Sequence, residues 1–300
     1  MKCLPRFLPL IVTIACQDVP KTSAQSNHSD SSVMDVGGVD AGVEDVNHPG
    51  VSPKCPGGMK HVSGKLCRKV RYKCVRGRGE KAGVSCPKGC YIHPNQCAEW
   101  LPGSMECLPT KPVRSGVKVT YEPDWVPFEF CMDEYEWPNR KGEKPRVFIS
   151  FDEAVEVCRS VGKRVCTSAE FTLACEGPEG LPVGYGWKID GTVCNVEKKW
   201  RDWTRVKLRT PAGFAEIDQS EPIGSRPECV SPYGIWDLTG NVDEWTRLDP
   251  IDGDMSRYPS QLKGGYYASG AHPYCRAHTD IHGPEFSFYQ IGTRCCGDVK

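Results

Sequence analysis

The feature that most constrains this chain is its cysteines. There are 18 of them in 300 residues, and dense cysteine in an exported chain means disulfides. Cys3 and Cys16 lie in an N-terminal targeting segment. The rest fall into an early group, Cys55, Cys67, Cys74, Cys86, Cys90, Cys97 and Cys107, and a late group, Cys131, Cys158, Cys166, Cys175, Cys194, Cys229, Cys275, Cys295 and Cys296. Each group is odd in number. If all pair, at least one bridge crosses between the groups, so 54–300 is read as one stapled domain. Zinc is the rival for Cys86-x-x-x-Cys90. Export counts against it, because thiols there oxidise before they ligate.

Residues 1–16 are read as a signal peptide. Lys2 and Arg6 precede an apolar run from Phe7 to Ala15 that is far too short to span a bilayer as a helix. The run ends Thr13-Ile14-Ala15-Cys16, which resembles a bacterial lipoprotein cleavage box with Cys16 as the lipidated residue. Ordinary secretion, with cleavage after Thr22-Ser23-Ala24, is the alternative. The expected location is extracytoplasmic: a membrane-anchored lipoprotein in the periplasm or on the cell surface, or a secreted protein. Residues 17–53 carry Ser, Gly and acidic side chains and no aromatic residue, so they read as a disordered linker that cannot offset its ordering entropy. The formal net charge of +0 argues against a nucleic-acid partner.

Two helices announce their own starts. Ser150 with Glu153 is a capping box, followed by Phe151, Ala154, Val155 and Cys158 on one face. Thr167 with Glu170 is a second, followed by Phe171, Ala174 and Cys175. Gly162 and Gly177 end them. By contrast, about 63–125 carries Pro and Gly at many positions with little periodicity. That stretch predicts loops and short strands held by covalent links rather than by a core.

The stretch Tyr233-Gly234-Ile235-Trp236-Asp237-Leu238-Thr239-Gly240-Asn241-Val242-Asp243-Glu244-Trp245 is too polar for a buried strand and too glycine-punctuated for a long helix. Asp237, Asn241, Asp243 and Glu244 offer side-chain oxygens, the donor type that calcium prefers. The plain alternative is a solvated acidic turn.

This stretch resembles the signature of the formylglycine-generating enzyme (sulfatase-modifying factor) family, a variant of the C-type-lectin fold. Three further blocks agree in order: Phe130-Cys131-Met132-Asp133-Glu134-Tyr135-Glu136; Ser150-Phe151-Asp152-Glu153-Ala154 through Gly162-Lys163-Arg164-Val165-Cys166-Thr167-Ser168-Ala169-Glu170-Phe171; and Lys263-Gly264-Gly265-Tyr266 with Gly292-Thr293-Arg294-Cys295. Gly58 to Val62 is similar to the family's first strand, which makes 63–125 an insertion. The resemblance implies an irregular α+β fold. It implies disulfides Cys158 to Cys295 and Cys175 to Cys275, and leaves Cys166, Cys194, Cys229 and Cys296 to pair among themselves. It also implies calcium, held by the Asp237 and Glu244 side chains with the Gly240 and Val242 carbonyls. A second ion would sit on the Asn195 side chain and the Val196 carbonyl, completed by a loop near Gly213-Phe214.

The family's active members bind copper(I) through two thiolates, because soft thiolate selects Cu(I) where a hydroxyl does not. Here those positions fall on Ser269 and Tyr274, the Ser of the G-G-S block is Tyr266, and a Trp position is Asp243. The catalytic pair is therefore missing, and copper-dependent formylglycine formation is not expected. His272, His278 and His282, with Asp280 or Glu285, could suit iron or another transition metal; the plainer reading makes them polar loop residues beside the cleft. The leading expectation is a calcium-stabilised lipoprotein whose groove, lined by Tyr266, Ser269, His272 and Arg276, binds a protein, peptide or glycan. The alternative is an exported oxidoreductase of the same family that carries out another oxidative protein or peptide modification. A third possibility is a purely structural envelope protein.

Overall fold

The computed structural model describes residues 55–249 and 257–300. The signal peptide, Cys16 and the linker lie outside the described residues. The described residues all fall within one compact unit, His48–Lys300. No described helix is long and apolar enough to cross a membrane.

Strand β1 (Met59–Cys67) buries Met59, Val62, Leu66 and Cys67. It pairs antiparallel along its whole length with a strand that begins fifty-eight residues later, from Met59 opposite Asp133 to Cys67 opposite Trp125. Between them the chain leaves the ladder at Arg68 and returns at Asp124, where the Arg68 N–H donates to the Asp124 carbonyl at 2.9 Å. This excursion holds β2 (Val70–Arg71), β3 (Cys74–Gly77), β4 (Ser85–Cys90), β5 (Cys97–Trp100), β6 (Glu106–Cys107), β7 (Pro109–Ser115) and β8 (Lys118–Pro123). They form three small sheets: β2 with β6, β3 between β4 and β5, and the β7–β8 ribbon. Cys67–Cys107, Cys74–Cys97 and Cys86–Cys90 staple them. The last bridge removes both thiolates that a zinc site at Cys86 and Cys90 would need.

The excursion is not held by covalent links alone, as its irregular sequence suggests. Tyr72 and Trp100 are buried in an apolar cluster with Val183, Ile189 and Val196 of the body. Aromatic anchors at irregular spacing leave no periodic trace, yet each buries a large apolar area.

The body begins with β9 (Trp125–Asp133), continues through α1 (Phe151–Ser160), β10 (Arg164–Val165), α2 (Ser168–Glu176) and α3 (Pro211–Ile217), and ends in β11 (Asp243–Arg247), β12 (Ser260–Lys263), β13 (His278–Thr279), β14 (Ile291–Gly292) and β15 (Cys295–Gly297). One sheet runs β1-β9-β15-β10 and the other β13-β12-β11-β14. The class is α+β, irregular and disulfide-rich. Both capping boxes form: the Ser150 hydroxyl accepts from the Glu153 N–H at 3.2 Å, and Thr167 accepts from Glu170 at 3.2 Å. α1 buries one face. α2 departs from the one-sided expectation, with all nine residues buried, because it lies in the core with Val62, Phe130, Met132, Ile235 and Leu238 packed about it.

The remaining bridges pin elements far apart in sequence. Cys55–Cys131 crosses between the early and late groups. Cys158–Cys295 holds α1 to β15, Cys166–Cys296 holds the turn before α2 to the same strand, and Cys175–Cys275 holds α2. Cys194–Cys229 pairs the last two described cysteines.

Candidate functional site

The loop ahead of β11 threads between two other segments, and its backbone is shaped for that. Asp237 and Asn241 adopt φ 58° and 57°, tolerable because short polar side chains bear the left-handed region best. At Gly240, φ 86°, a Cβ would lie 2.5 Å from the Asn195 carbonyl oxygen and collide with Val196. Only glycine lets the loop and the 195–196 segment approach this closely.

Asn241 ties the region together. Its Nδ2 donates to Glu136 Oε2 at 2.6 Å, and its Oδ1 accepts from the Glu221 N–H at 2.8 Å and from Asn195 Nδ2 at 2.9 Å. Glu136, 0 % exposed, also accepts from the Val242 N–H at 3.2 Å. Glu244 and Arg294, each about 1 % exposed, form a two-pronged pair at 2.6 and 2.7 Å. Arg294 also donates to the Trp236 carbonyl at 2.9 Å. Asp237 Oδ2 accepts from the Gly224 N–H at 2.8 Å.

Three buried carboxylates thus share one guanidinium. Burial, with the charges of Asp237 and Glu244, pushes Glu136 well above the carboxylate range. Burial lifts Glu244 against the pull of Arg294, and lifts Asp237 to about 6 against the Gly224 N–H. Such a cluster is short of positive charge. Its chemistry fits an oxygen-seeking cation held by Asp237 with the Gly240 and Val242 carbonyls, Glu244 being shared with Arg294. Glu136 and Arg294 are not among the site residues that the sequence points to. They stand more than a hundred and about fifty residues from their partners, and nothing in local spacing connects them.

The second expected ion segment is built differently. Asn195, 2 % exposed, donates through Nδ2 to the Gln219 carbonyl at 3.0 Å, while its Oδ1 has no partner. An orphaned oxygen of this kind suits a cation or a water. Close by, the Lys198 ammonium already donates to the Gln219 carbonyl at 3.0 Å and to Glu221 Oε1 at 2.7 Å. Arg226 grips Glu221 from the other side at 2.5 and 2.9 Å, and the two cations hold its carboxyl down at about 2. The loop expected near Gly213-Phe214 to complete this site is instead helix α3. Thr210 caps it, accepting from the Gly213 N–H at 3.1 Å, and Pro211 begins it, the usual chemistry of a helix start. The segment that reaches Asn195 is Gln219 to Glu221.

A cavity of about 200 Å³ opens beside β11 and β12, lined by Asp243, Lys263, Gly265, Tyr266, His272 and His278 among others. Tyr266 and His272 of the expected groove meet here. Ser269 is exposed at the surface. Arg276 points elsewhere: it pairs with Glu176, with Nη2 at 2.9 Å from Oε2, and donates to the Cys67 carbonyl at 2.9 Å. Its work is to bind the excursion to α2, together with Tyr72, whose hydroxyl donates to Glu176 at 3.1 Å. Tyr274 turns away from the cavity into the cluster around Tyr72 and Trp100, donating to Asn95 Oδ1 at 2.6 Å and packing on Trp100. Arg78 donates to the Ala271 carbonyl at 3.1 Å, so the excursion braces the 271–275 loop from outside. Of the three expected histidines, His272 and His278 reach the cavity, while His282 stacks on Phe286 with ring centres 3.9 Å apart. Among the described residues no three His, Cys, Asp or Glu side chains converge as a metal-ligand cluster.

The cavity is electrically tuned. No donor among the described residues reaches the Asp243 carboxyl, which burial and the charge of Glu244 push up to about 8. His272 has a buried Nδ1 with no partner, and burial and Arg78 lower its pKa. Lys263 Nζ donates to Thr172 at 2.9 Å.

The sequence model of the FGE-sulfatase family, the sulfatase-modifying factor enzyme 1-like domain, matches residues 112–299. The chain belongs to this family. The FGE-sulfatase match begins inside the β7–β8 ribbon, so most of the excursion lies outside it. The chain is similar to the formylglycine-generating enzyme of Mus musculus, 27% identical over 177 residues that cover 53% of this chain and 45% of that protein. It is also similar to the inactive C-alpha-formylglycine-generating enzyme 2 of Bos taurus, 30% identical over 118 residues, 38% of this chain and 37% of that one. Among solved structures, PvdO from Pseudomonas aeruginosa superposes with a TM-score of 0.45 at 14% identity, covering 80% of this chain and 94% of that chain. The chain spans about half the length of the curated relatives it matches.

Proposed function

We propose that this FGE-sulfatase family member is an exported, lipid-anchored binding protein, stabilised by calcium, that takes a group of a protein, peptide or glycan ligand into the Tyr266 cavity and does not make formylglycine. The observation that carries the reading is the cavity itself. It lies where the family's thiolate loop passes, yet every described cysteine is in a disulfide, so no thiolate pair is on offer for copper(I).

At about 200 Å³ the cavity is smaller than the roughly 300–1,000 Å³ typical of small-molecule pockets. It suits one side chain or one sugar ring. Tyr266 supplies an aromatic wall, its ring 5.4 Å from that of Tyr267 and 6.5 Å from that of Tyr289. Asp243 and His272, whose Nδ1 has no partner, are the polar groups of the cavity that would meet the ligand's own. Calcium, when bound, would supply the positive charge that the Glu136, Asp237 and Glu244 cluster lacks, and so would fix the loop that presents Asp243.

The test is a screen of the purified protein against peptide and glycan arrays, with Tyr266→Ala as the matched control. Ligands lost on that change support the reading; signals identical in the two proteins defeat it. The oxidoreductase reading is kept as a second, because His272, His278 and Asp243 line one cavity. Elemental analysis separates the two. Calcium alone supports the binding protein, and stoichiometric iron or copper lost from a His272→Ala, His278→Ala double variant supports the enzyme.

A further inference from the structure

The β7–β8 ribbon plays no part in the cavity. Its strands bond only to each other, and nearly every residue in it is exposed. A lone two-stranded ribbon without a packed face is marginal in water. Its residues are sorted along its length. At the base, Lys111 pairs with Glu122 at 3.2 Å and Asp124 with Arg68 at 2.8 Å. Toward the turn, Val113, Val119 and Tyr121 are 37, 44 and 62 % exposed, and Val117 in the turn itself is 105 % exposed. Arg114 stands opposite Val119, and Lys118 opposite Ser115. No carboxylate among the described residues pairs with either cation.

We propose that this ribbon is a membrane-contact finger that sets Val117 into the surface of an anionic bilayer. The order of chemistry along the finger matches the order of layers at a lipid surface. The apolar tip meets the acyl boundary, and the two unpaired cations lie level with anionic headgroups. Tyr121 sits behind them, where aromatic residues with one polar end concentrate. The neutralised base stays in water. A second copy is a poor occupant, because two tips would bring like charges together. A single finger of this size binds weakly, which suits a second contact acting beside a lipid anchor.

The test uses the chain from residue 17 onward, without the apolar signal segment and Cys16, so that neither it nor a lipid contributes. Flotation is measured with vesicles of phosphatidylcholine alone and with vesicles about one-third phosphatidylglycerol. The expected result is binding to the anionic vesicles, weakened roughly tenfold or more by Val117→Asp and by the pair Arg114→Gln, Lys118→Gln, with lost anionic preference in the latter. Val117→Ser, which adds no charge, should weaken it by a smaller factor in the same direction. The positions are solvent-exposed, so unchanged near-ultraviolet circular dichroism confirms that each variant folds. Absence of binding to the anionic vesicles overturns the proposal. So does binding indifferent to all three changes, or Val117-dependent dimers or acidic-protein capture without vesicle binding.

Discussion

Arg294 and Glu244 are a pair whose loss on one side would be costly, because each is about 1 % exposed and each satisfies the other. Arg294→Met leaves three carboxylates without their guanidinium. It should cost about 3–5 kcal/mol in urea unfolding, with part recovered when Glu244→Gln is added. An unchanged midpoint for Arg294→Met would mean that the cluster is already protonated or metal-filled. The Glu221 carboxyl is shifted the other way from those of the cluster. Hydrogen bonds from Arg226 and Lys198 hold its folded pKa at about 2, below the ordinary 4.5. A carboxyl depressed in this way contributes stability that is complete above pH 4.5 and disappears as pH falls toward 2. With the side chain 27 % exposed, that contribution is about 1–3 kcal/mol. Glu221→Gln should lose it at pH 7 and flatten the acid limb of a stability–pH curve; parallel curves for the two proteins would refute the assignment. Legibility at this scale is uneven. Asp237, Gly240 and Glu244 stand in one short signature and can be read from it. Glu136 and Arg294 act on them across distant segments, and only the fold brings them together.

At the scale of elements, the two capping boxes carry a direct expectation. Ser150→Ala and Thr167→Ala each remove the acceptor for an N–H at 3.2 Å and should each cost about 1 kcal/mol in chemical denaturation. Leu173→Ala in α2 belongs to a different class, since its side chain is 1 % exposed and should cost about 2–5 kcal/mol. Equal losses at the caps and at Leu173 would show that α2 is less enclosed than described. The helix starts are legible because a capping box is local chemistry. The all-round burial of α2 is not, because a sequence of Ala, Phe, Leu and Cys with one Glu near each end gives no sharp stripe. α3 is harder to see although Thr210 and Pro211 carry a start signal, since Gly213 two residues later points to a loop. In the excursion, Tyr72 and Trp100 supply the core contact, and no period marks them.

At the scale of the whole molecule, the calcium proposal and the disulfides make separate demands. Calcium at about a hundred times its Kd adds roughly 2.7 kcal/mol, which for a domain of this size is about 5–10 °C in Tm. Thermal melts with calcium and with a chelator should differ by that amount, and Glu244→Gln should abolish the difference; superimposable melts would remove calcium from the account. Cys158–Cys295 and Cys175–Cys275 close separations of 137 and 100 residues, so each contributes on the order of 4 kcal/mol on the chain-entropy model. The bridges also impose an order on biogenesis. A chain delivered through a secretion channel from its N-terminus exposes Cys158, Cys166 and Cys175 well before Cys275, Cys295 and Cys296. For that interval three thiols destined for the core have only wrong partners, while the excursion's own cysteines can already close among themselves. For a chain exported as proposed, the body should therefore need thiol–disulfide exchange to clear premature pairings, and its yield should follow the supply of an isomerase more steeply than the supply of an oxidant.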